Sequence, residues 1–361
     1  MSVDLFSAHK LGAISLANRV VMAPMTRSRA TPDHTPTPIM ATYYADRADA
    51  GLIISEGTAP DANGCGYARI PGLWSPAQVT AWKVVTDAVH KAGGRIAAQL
   101  MHCGRVSHPL NMPEGASVLA PSAVALEGEM YTDQEGPKPY PLARAMSESE
   151  IETAIEGFVS ASRNAIEAGF DMVEIHGANG YLVDQFFSPN TNLRTDAWGG
   201  SVENRSKFAL EVARRVTAAI GAERVGIRLS PHGVFNGITP WDTLAADFAY
   251  LAKQLGALKL AYVHLVDHAA MGAPEVPGST KAAIASAFAG PMILSGGYDR
   301  ARADVDLAEG KAQLIAFGRP FLSNPDLVAR MRTGAELNAP DFGTFYTPGE
   351  KGYNDYPKLN A

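Results

Sequence analysis

The sequence predicts a single (β/α)8 barrel, and three observations carry that reading. Eight short apolar runs rich in β-branched residues alternate with eight stretches of helix length along almost the whole 361-residue chain, as in a parallel sheet covered by helices. The runs are continuously apolar, without the polar alternation of half-exposed strands, which marks strands buried on both faces. The first run ends in Ala23-Pro24-Met25-Thr26-Arg27, without the glycines that a doubly wound sheet uses to bind a nucleotide, so the open-sheet alternative is set aside.

In chain order, strands are expected at 19–23, 52–55, 95–100, 172–176, 225–229, 261–265, 292–295 and 314–317. Helices are expected at 36–48, 76–92, 148–168, 201–220, 241–256, 279–288, 299–308 and 324–333. The third has the sharpest start, because Ser147 and Glu150 have the spacing of a capping box that satisfies orphan backbone donors. The stretch 103–146 follows the third strand and is rich in proline and glycine. It is expected to be a structureless, lid-like insertion over the barrel mouth. A barrel absorbs such insertions, so 1–361 is expected to be one domain.

Composition narrows the function classes. Hydrophobic residues at 46 % and charged residues at 19 % describe a folded globular chain and exclude disorder or a coiled coil. With 31 Lys and Arg against 37 Asp and Glu, the net charge is −6, which leaves no electrostatic footprint for nucleic acid or an anionic membrane. Cys65 and Cys103 are too few for a disulfide framework or for the four thiolates of an iron–sulfur cluster. No signal-peptide pattern opens the chain and no apolar run approaches the roughly 20 residues of a membrane span, so a cytoplasmic protein is expected. Metal-ligand spacing is absent, and His102, with no obvious partner, is given no role. Tyr43, Tyr44, Trp82 and Trp198 are read as packing and turn residues.

Chemistry in such a barrel gathers at the C-terminal strand ends. There the chain offers Thr26, Glu56-Gly57, Gln99, then His176, Asn179 and Tyr181 in one glycine-rich loop, and Arg228. The last two strands end in Ser295-Gly296-Gly297 and Phe317-Gly318-Arg319, where backbone N–H groups can hold a phosphate. Arg228, directly inside a buried strand, demands either a carboxylate or an electron-rich ligand.

The segments Ala23–Arg27, Ser55-Glu56-Gly57-Thr58, Gln99–Arg105, Glu174–Leu182, Trp198–Arg205 and Ala316-Phe317-Gly318-Arg319-Pro320 resemble the old yellow enzyme family. That family comprises FMN-dependent ene-reductases (NADH:flavin oxidoreductases) on a (β/α)8 barrel, and the likeness runs from about residue 3 to residue 357. The resemblance implies non-covalent FMN lined by Pro24, Met25, Thr26 and Gly57, held at its pyrimidine edge by Gln99 and Arg228. It further implies that Gly296, Gly297, Gly318 and Arg319 take the phosphate. Thr26 places the chain in the threonine-bearing branch, whose hydroxyl tunes the flavin. Tyr67, Met101 and Tyr346 are implied as substrate contacts, beside His176 and Asn179. Met101 stands where many relatives carry tryptophan, Gly57 replaces a common alanine, and 268–278 matches poorly, so the departures touch the pocket walls.

By the same resemblance, NADPH or NADH reduces the flavin, and hydride then passes to an activated alkene in a ping-pong scheme. His176 and Asn179 would polarise the carbonyl or nitro group of an enone or nitroalkene, and Tyr181 would protonate carbon; nitrate esters are a further acceptor class. Expected partners are these small molecules, with no metal, nucleic acid or membrane, in a monomer or small homo-oligomer. Two readings from other classes stand beside it: a phosphate-dependent isomerase or aldolase using Glu56 or Glu174, and a non-catalytic flavin or xenobiotic binder.

Overall fold

A hairpin absent from the expected elements comes first. In the computed structural model, which describes residues 3–359, β1 (His9–Leu11) and β2 (Ile14–Leu16) pair antiparallel. Leu11 and Leu16 are buried against Leu52, Met172 and Leu314, which begin their strands, so the hairpin plugs the N-terminal end of the barrel. Its runs are three residues long, too short for periodicity to reveal. Gly12 makes its turn at φ 51°, with Glu223 O 2.0 Å from where a Cβ would stand.

The chain then runs β3 (Val20–Met22), α1 (Pro38–Ala45), β4 (Leu52–Ile54), α2 (Pro76–Lys91) and β5 (Ile96–Leu100). The 103–146 stretch follows and is not structureless. It contains β6 (Leu119–Ala120), the hairpin β7 (Glu129–Thr132) and β8 (Gly136–Pro139), and β9 (Arg144–Ala145), which pairs with β6. Its first residues, Cys103 to Ser107, are buried, and Glu129, Tyr131 and Tyr140 of the hairpin border the barrel mouth. Short two- to four-residue pairings among prolines leave no sequence period, which is why they read as loop.

Beyond it come α3 (Glu148–Glu167), β10 (Met172–Gly177), α4 (Leu182–Phe187), α5 (Val202–Ile220), β11 (Val225–Leu229), α6 (Leu244–Ala257) and β12 (Tyr262–Val266). α7 (Gly278–Phe288), β13 (Met292–Ser295), α8 (Arg300–Ala308), β14 (Leu314–Phe317), α9 (Arg319–Ser323) and α10 (Leu327–Thr333) complete the elements. Eight strands close in the order β10-β11-β12-β13-β14-β3-β4-β5, all pairs parallel. Every expected barrel strand is present to within one residue at each end. The Ser147 capping box forms as expected. The expected helix 324–333 begins three residues later, as α10, because Asn324 turns extended and its amide binds Pro320 O and Ser323 Oγ; the short α9 before it was not anticipated. α4 was not anticipated: all six of its residues are buried, so it shows no amphipathic period. The ends of the 1–361 range, residues 1–2 and 360–361, lie outside the described residues.

Because Leu11 is fully buried in the floor cluster, Leu11→Ala is expected to cost about 2–5 kcal/mol. A urea titration followed by fluorescence measures it, and a loss well under 1 kcal/mol would mean that the plug is not part of the core.

Candidate active site

One cavity of about 1280 Å³ opens at the C-terminal ends of the barrel strands. All sixteen residues that the resemblance implies for the site border it: Pro24, Met25, Thr26, Gly57, Tyr67, Gln99, Met101, His176, Asn179, Tyr181, Arg228, Gly296, Gly297, Gly318, Arg319 and Tyr346. They arrive from seven of the eight strands or the loops that follow them, which is how a parallel barrel concentrates distant residues. Tyr346 stands at the rim and is largely exposed.

The floor of the cavity is charged. Arg228 is 7 % exposed, and its Nε has no hydrogen-bond partner. Burial lowers its pKa, and nearby Glu174 opposes that shift. Gln99 donates from Nε2 to Glu174 Oε1 at 2.8 Å, which turns the amide so that Oε1 remains free. Glu174 Oε2 lies 2.9 Å from His264 Nδ1, and His264 Nε2 lies 3.0 Å from Ser295 Oγ. Sequence reading named Glu174 only as a candidate carboxylate and missed His264; the inward row His176, Arg228, His264 on neighbouring strands is the signal that would have found it.

The loop after β10 carries three polar groups on one short turn. His176 Nδ1 accepts from Ala178 N at 3.3 Å, so the ring proton sits on Nε2 as a donor. Burial, then the charge of Arg228, holds His176 well below the usual imidazole pKa, so it donates as a neutral ring. Asn179 adopts φ 61° and its buried Oδ1 has no partner. Its N–H donates to Ser230 Oγ at 2.8 Å. Tyr181 lies 2.8 Å from Tyr67, oxygen to oxygen, and burial raises its pKa, keeping the phenol protonated. Asp184 and Gln185 of α4 hold the loop: Gly180 N donates to Asp184 Oδ2 at 2.8 Å, and Gln185 Nε2 donates to Gly180 O at 2.7 Å. Neither was anticipated.

Comparison with known proteins fits this arrangement. Residues 4–338 match the NADH:flavin oxidoreductase / NADH oxidase family. The chain belongs to that family. It is 45 % identical to chanoclavine-I aldehyde reductase of Penicillium roqueforti, over 98 % of this chain and 95 % of that one. A probable flavin mononucleotide-dependent alkene reductase of Leishmania infantum is 42 % identical, over 96 % of this chain and 95 % of that one. Among solved structures, morphinone reductase superposes with a TM-score of 0.96 at 45 % identity, covering 100 % of this chain and 97 % of that one. The old yellow enzyme homologue from Zymomonas mobilis gives 0.95 at 43 %, covering 99 % and 100 %. The protein is an NAD(P)H-dependent flavin ene-reductase with FMN as its flavin.

The remaining walls of this flavin oxidoreductase fit a phosphate-bearing group. Gly296 and Gly297 have φ of 126° and 63°, and a Cβ on Gly296 would stand 2.1 Å from Asp267 O. Side chains are thus excluded at this turn, as a backbone anion site would require. At Gly57 a Cβ would come within 2.6 Å of Met101 Sδ, so the glycine and the methionine accommodate each other. Glu56 does not border the cavity; it accepts from Arg27 N and Ser28 N, fixing the turn that carries Thr26. His102 is not partnerless: its Nδ1 accepts from Gly104 N at 3.1 Å, and it faces Asp61 at 3.8 Å. Tyr43 and Trp82 are fully buried packing residues, as expected.

Asp184 supplies a pH test. Burial pushes its carboxyl from 3.8 up to about 7, so the folded state prefers the neutral acid. Its stabilising contribution is present below the unfolded value and is lost as pH rises through about 7. Thermal unfolding of Asp184→Asn against the parent between pH 4 and 8 is therefore expected to favour the variant increasingly as pH rises. A pH-independent difference would contradict the assignment.

Proposed function

We propose that the enzyme reduces the activated C=C bond of α,β-unsaturated carbonyl compounds and nitroalkenes, with nitrate esters as a further acceptor class. The observation that carries this is the β10 loop, where two uncommitted polar side chains and a protonated phenol border one cavity. Pro24, Met25, Thr26 and Gly57 would hold the FMN ring, Gln99 and Arg228 its pyrimidine edge, and Gly296, Gly297, Gly318 and Arg319 its phosphate. The uncommitted Arg228 Nε and the side-chain-free turns support that fit. When bound, FMN supplies hydride chemistry fed by NADPH or NADH.

The chain's own residues do the rest. His176 Nε2–H and the Asn179 amide stabilise the charge that develops on a carbonyl or nitro oxygen, in the manner of an oxyanion hole. Tyr181 gives its proton to the α-carbon, and Tyr67, 2.8 Å away, is placed to hydrogen-bond the phenolate left behind. Nicotinamide and alkene share the one cavity, which supports a ping-pong order. Tyr67, Met101 and Tyr346 form the substrate walls. The same reading takes the enzyme as a cytoplasmic monomer or small homo-oligomer acting on small molecules, without nucleic-acid or membrane partners. The net charge of −6 supports it, and no described helix is long and apolar enough to cross a membrane. The isomerase or aldolase reading has less support: among the described residues no lysine borders the cavity, nor do Glu56 and Glu174.

A visible spectrum tests the reading: an FMN band bleached by NADPH or NADH and restored by an enone is expected, and a band that no nicotinamide bleaches would favour a passive binder. Replacing both His176 and Asn179 with alanine should cut enone turnover by at least about 10²-fold while FMN stays bound. Near-normal affinity for a para-substituted phenol in that variant would refute the donor pair. Tyr181→Phe should accept reducing equivalents from a nicotinamide at a nearly normal rate yet reoxidise slowly with cyclohexenone. Nitroalkenes should still be consumed, because a nitro group holds the charge until water supplies the proton. Stopped-flow traces decide; equally fast enone reoxidation in Tyr181→Phe would remove Tyr181 from the acid role.

A further inference from the structure

We propose that Glu174, braced by His264, is a positioning residue that fixes the polarity of the Gln99 amide and thereby makes the cavity floor select a ligand edge in which an N–H adjoins a carbonyl. The inference rests on the FMN-binding reading above and names two residues that do not themselves border the cavity.

Glu174 and His264 are both fully buried. Two N–H groups converge on the carboxylate, Gln99 Nε2 at 2.8 Å and His264 Nδ1 at 2.9 Å. Ser295 Oγ, 3.0 Å from His264 Nε2, completes the chain. Burial and the adjacent Arg228 hold His264 below the usual imidazole range against the opposing pull of Glu174, and burial of Glu174 is outweighed by His264 and Arg228, which favour its ionised form. The neutral ring can then donate from Nδ1 to Glu174 and accept at Nε2 from the Ser295 hydroxyl, whose one proton has Leu265 O at 3.2 Å as its other acceptor. An ionised carboxylate only accepts, so it commits the nitrogen of Gln99 and leaves Oε1 as the atom presented to a ligand. Arg228, which borders the same cavity from β11 on the far side of β10, only donates. The floor thus reads one donor and one acceptor in sequence, the pattern of an imide edge. Without the anion, either end of the Gln99 amide could face the cavity, and Arg228 would lose its nearest compensating charge.

Glu174→Gln removes the charge while keeping the shape. FMN affinity is expected to fall about ten- to a hundred-fold, the worth of a hydrogen bond to a charged group. The reduction potential of a bound flavin should rise, because an anion buried behind the cavity floor would disfavour an electron-rich reduced form. A double-mutant cycle separates positioning from bulk structure: in a Gln99→Ala background, Glu174→Gln should change FMN affinity little, whereas a merely structural role would add its full cost. The measurements are fluorescence titration of the apoprotein with FMN and spectroelectrochemistry. If Glu174→Gln does not fold, the same cycle is run with His264→Asn, which disturbs the bracing of the same carboxylate. Unchanged affinity and potential, or full additivity, would overturn the inference while leaving the FMN reading intact. A parent protein that binds no FMN would overturn both.

Discussion

Parallel register sets an electrostatic constraint on which the rest of the mouth depends. It places His176, Arg228 and His264 side by side on β10, β11 and β12. Three basic groups in one buried row cannot all be charged, because removing each from water is costly and their mutual repulsion is poorly screened. The arrangement resolves this by charging one. Arg228 keeps its proton, burial holds both imidazoles neutral, and Glu174, opposite Gln99 on the next strand, supplies the counter-charge. A neutral His176 is then available as a hydrogen-bond donor, and Arg228 is left with capacity for a ligand.

That row is useful only if the loop above it is held still. The loop from His176 to Tyr181 includes a non-glycine residue at positive φ, Asn179, a conformation that L side chains adopt at a cost. Hydrogen bonds from Gly180 N to Asp184 and from Asn179 N to Ser230 hold that turn, and Asn236 Nδ2 donates to Asn179 O at 2.7 Å. Asp184 is a buried carboxyl without a basic partner; its company is Gly180 N–H and serine hydroxyls. The loop is therefore anchored by dipoles, not by an ion pair. On the other side of the cavity, Glu56 performs the same service for the turn carrying Thr26.

Much of this was legible in the residues. Eight continuously apolar runs announced eight buried strands, because burial on both faces removes polar alternation, and every one is present to within a residue at each end. The residues that end them in polar groups became the cavity wall for the same topological reason. Less legible were elements whose stability comes from tertiary contacts alone. The β1–β2 plug, the pairings within 103–146 and the helix α4 are too short or too uniformly buried to carry a period of their own.

The sequence by itself determined the barrel, the strand ends that meet at its mouth and the glycine turns fit for a phosphate, since each follows from hydrophobic period or backbone freedom written locally. Tertiary structure alone decided which side chains became partners: Gln99 with Glu174 across 75 positions, and Glu174 with His264 across 90. Those pairings set protonation, amide polarity and the uncommitted state of Arg228. They depend on strand register and burial, which exist only once the barrel has closed.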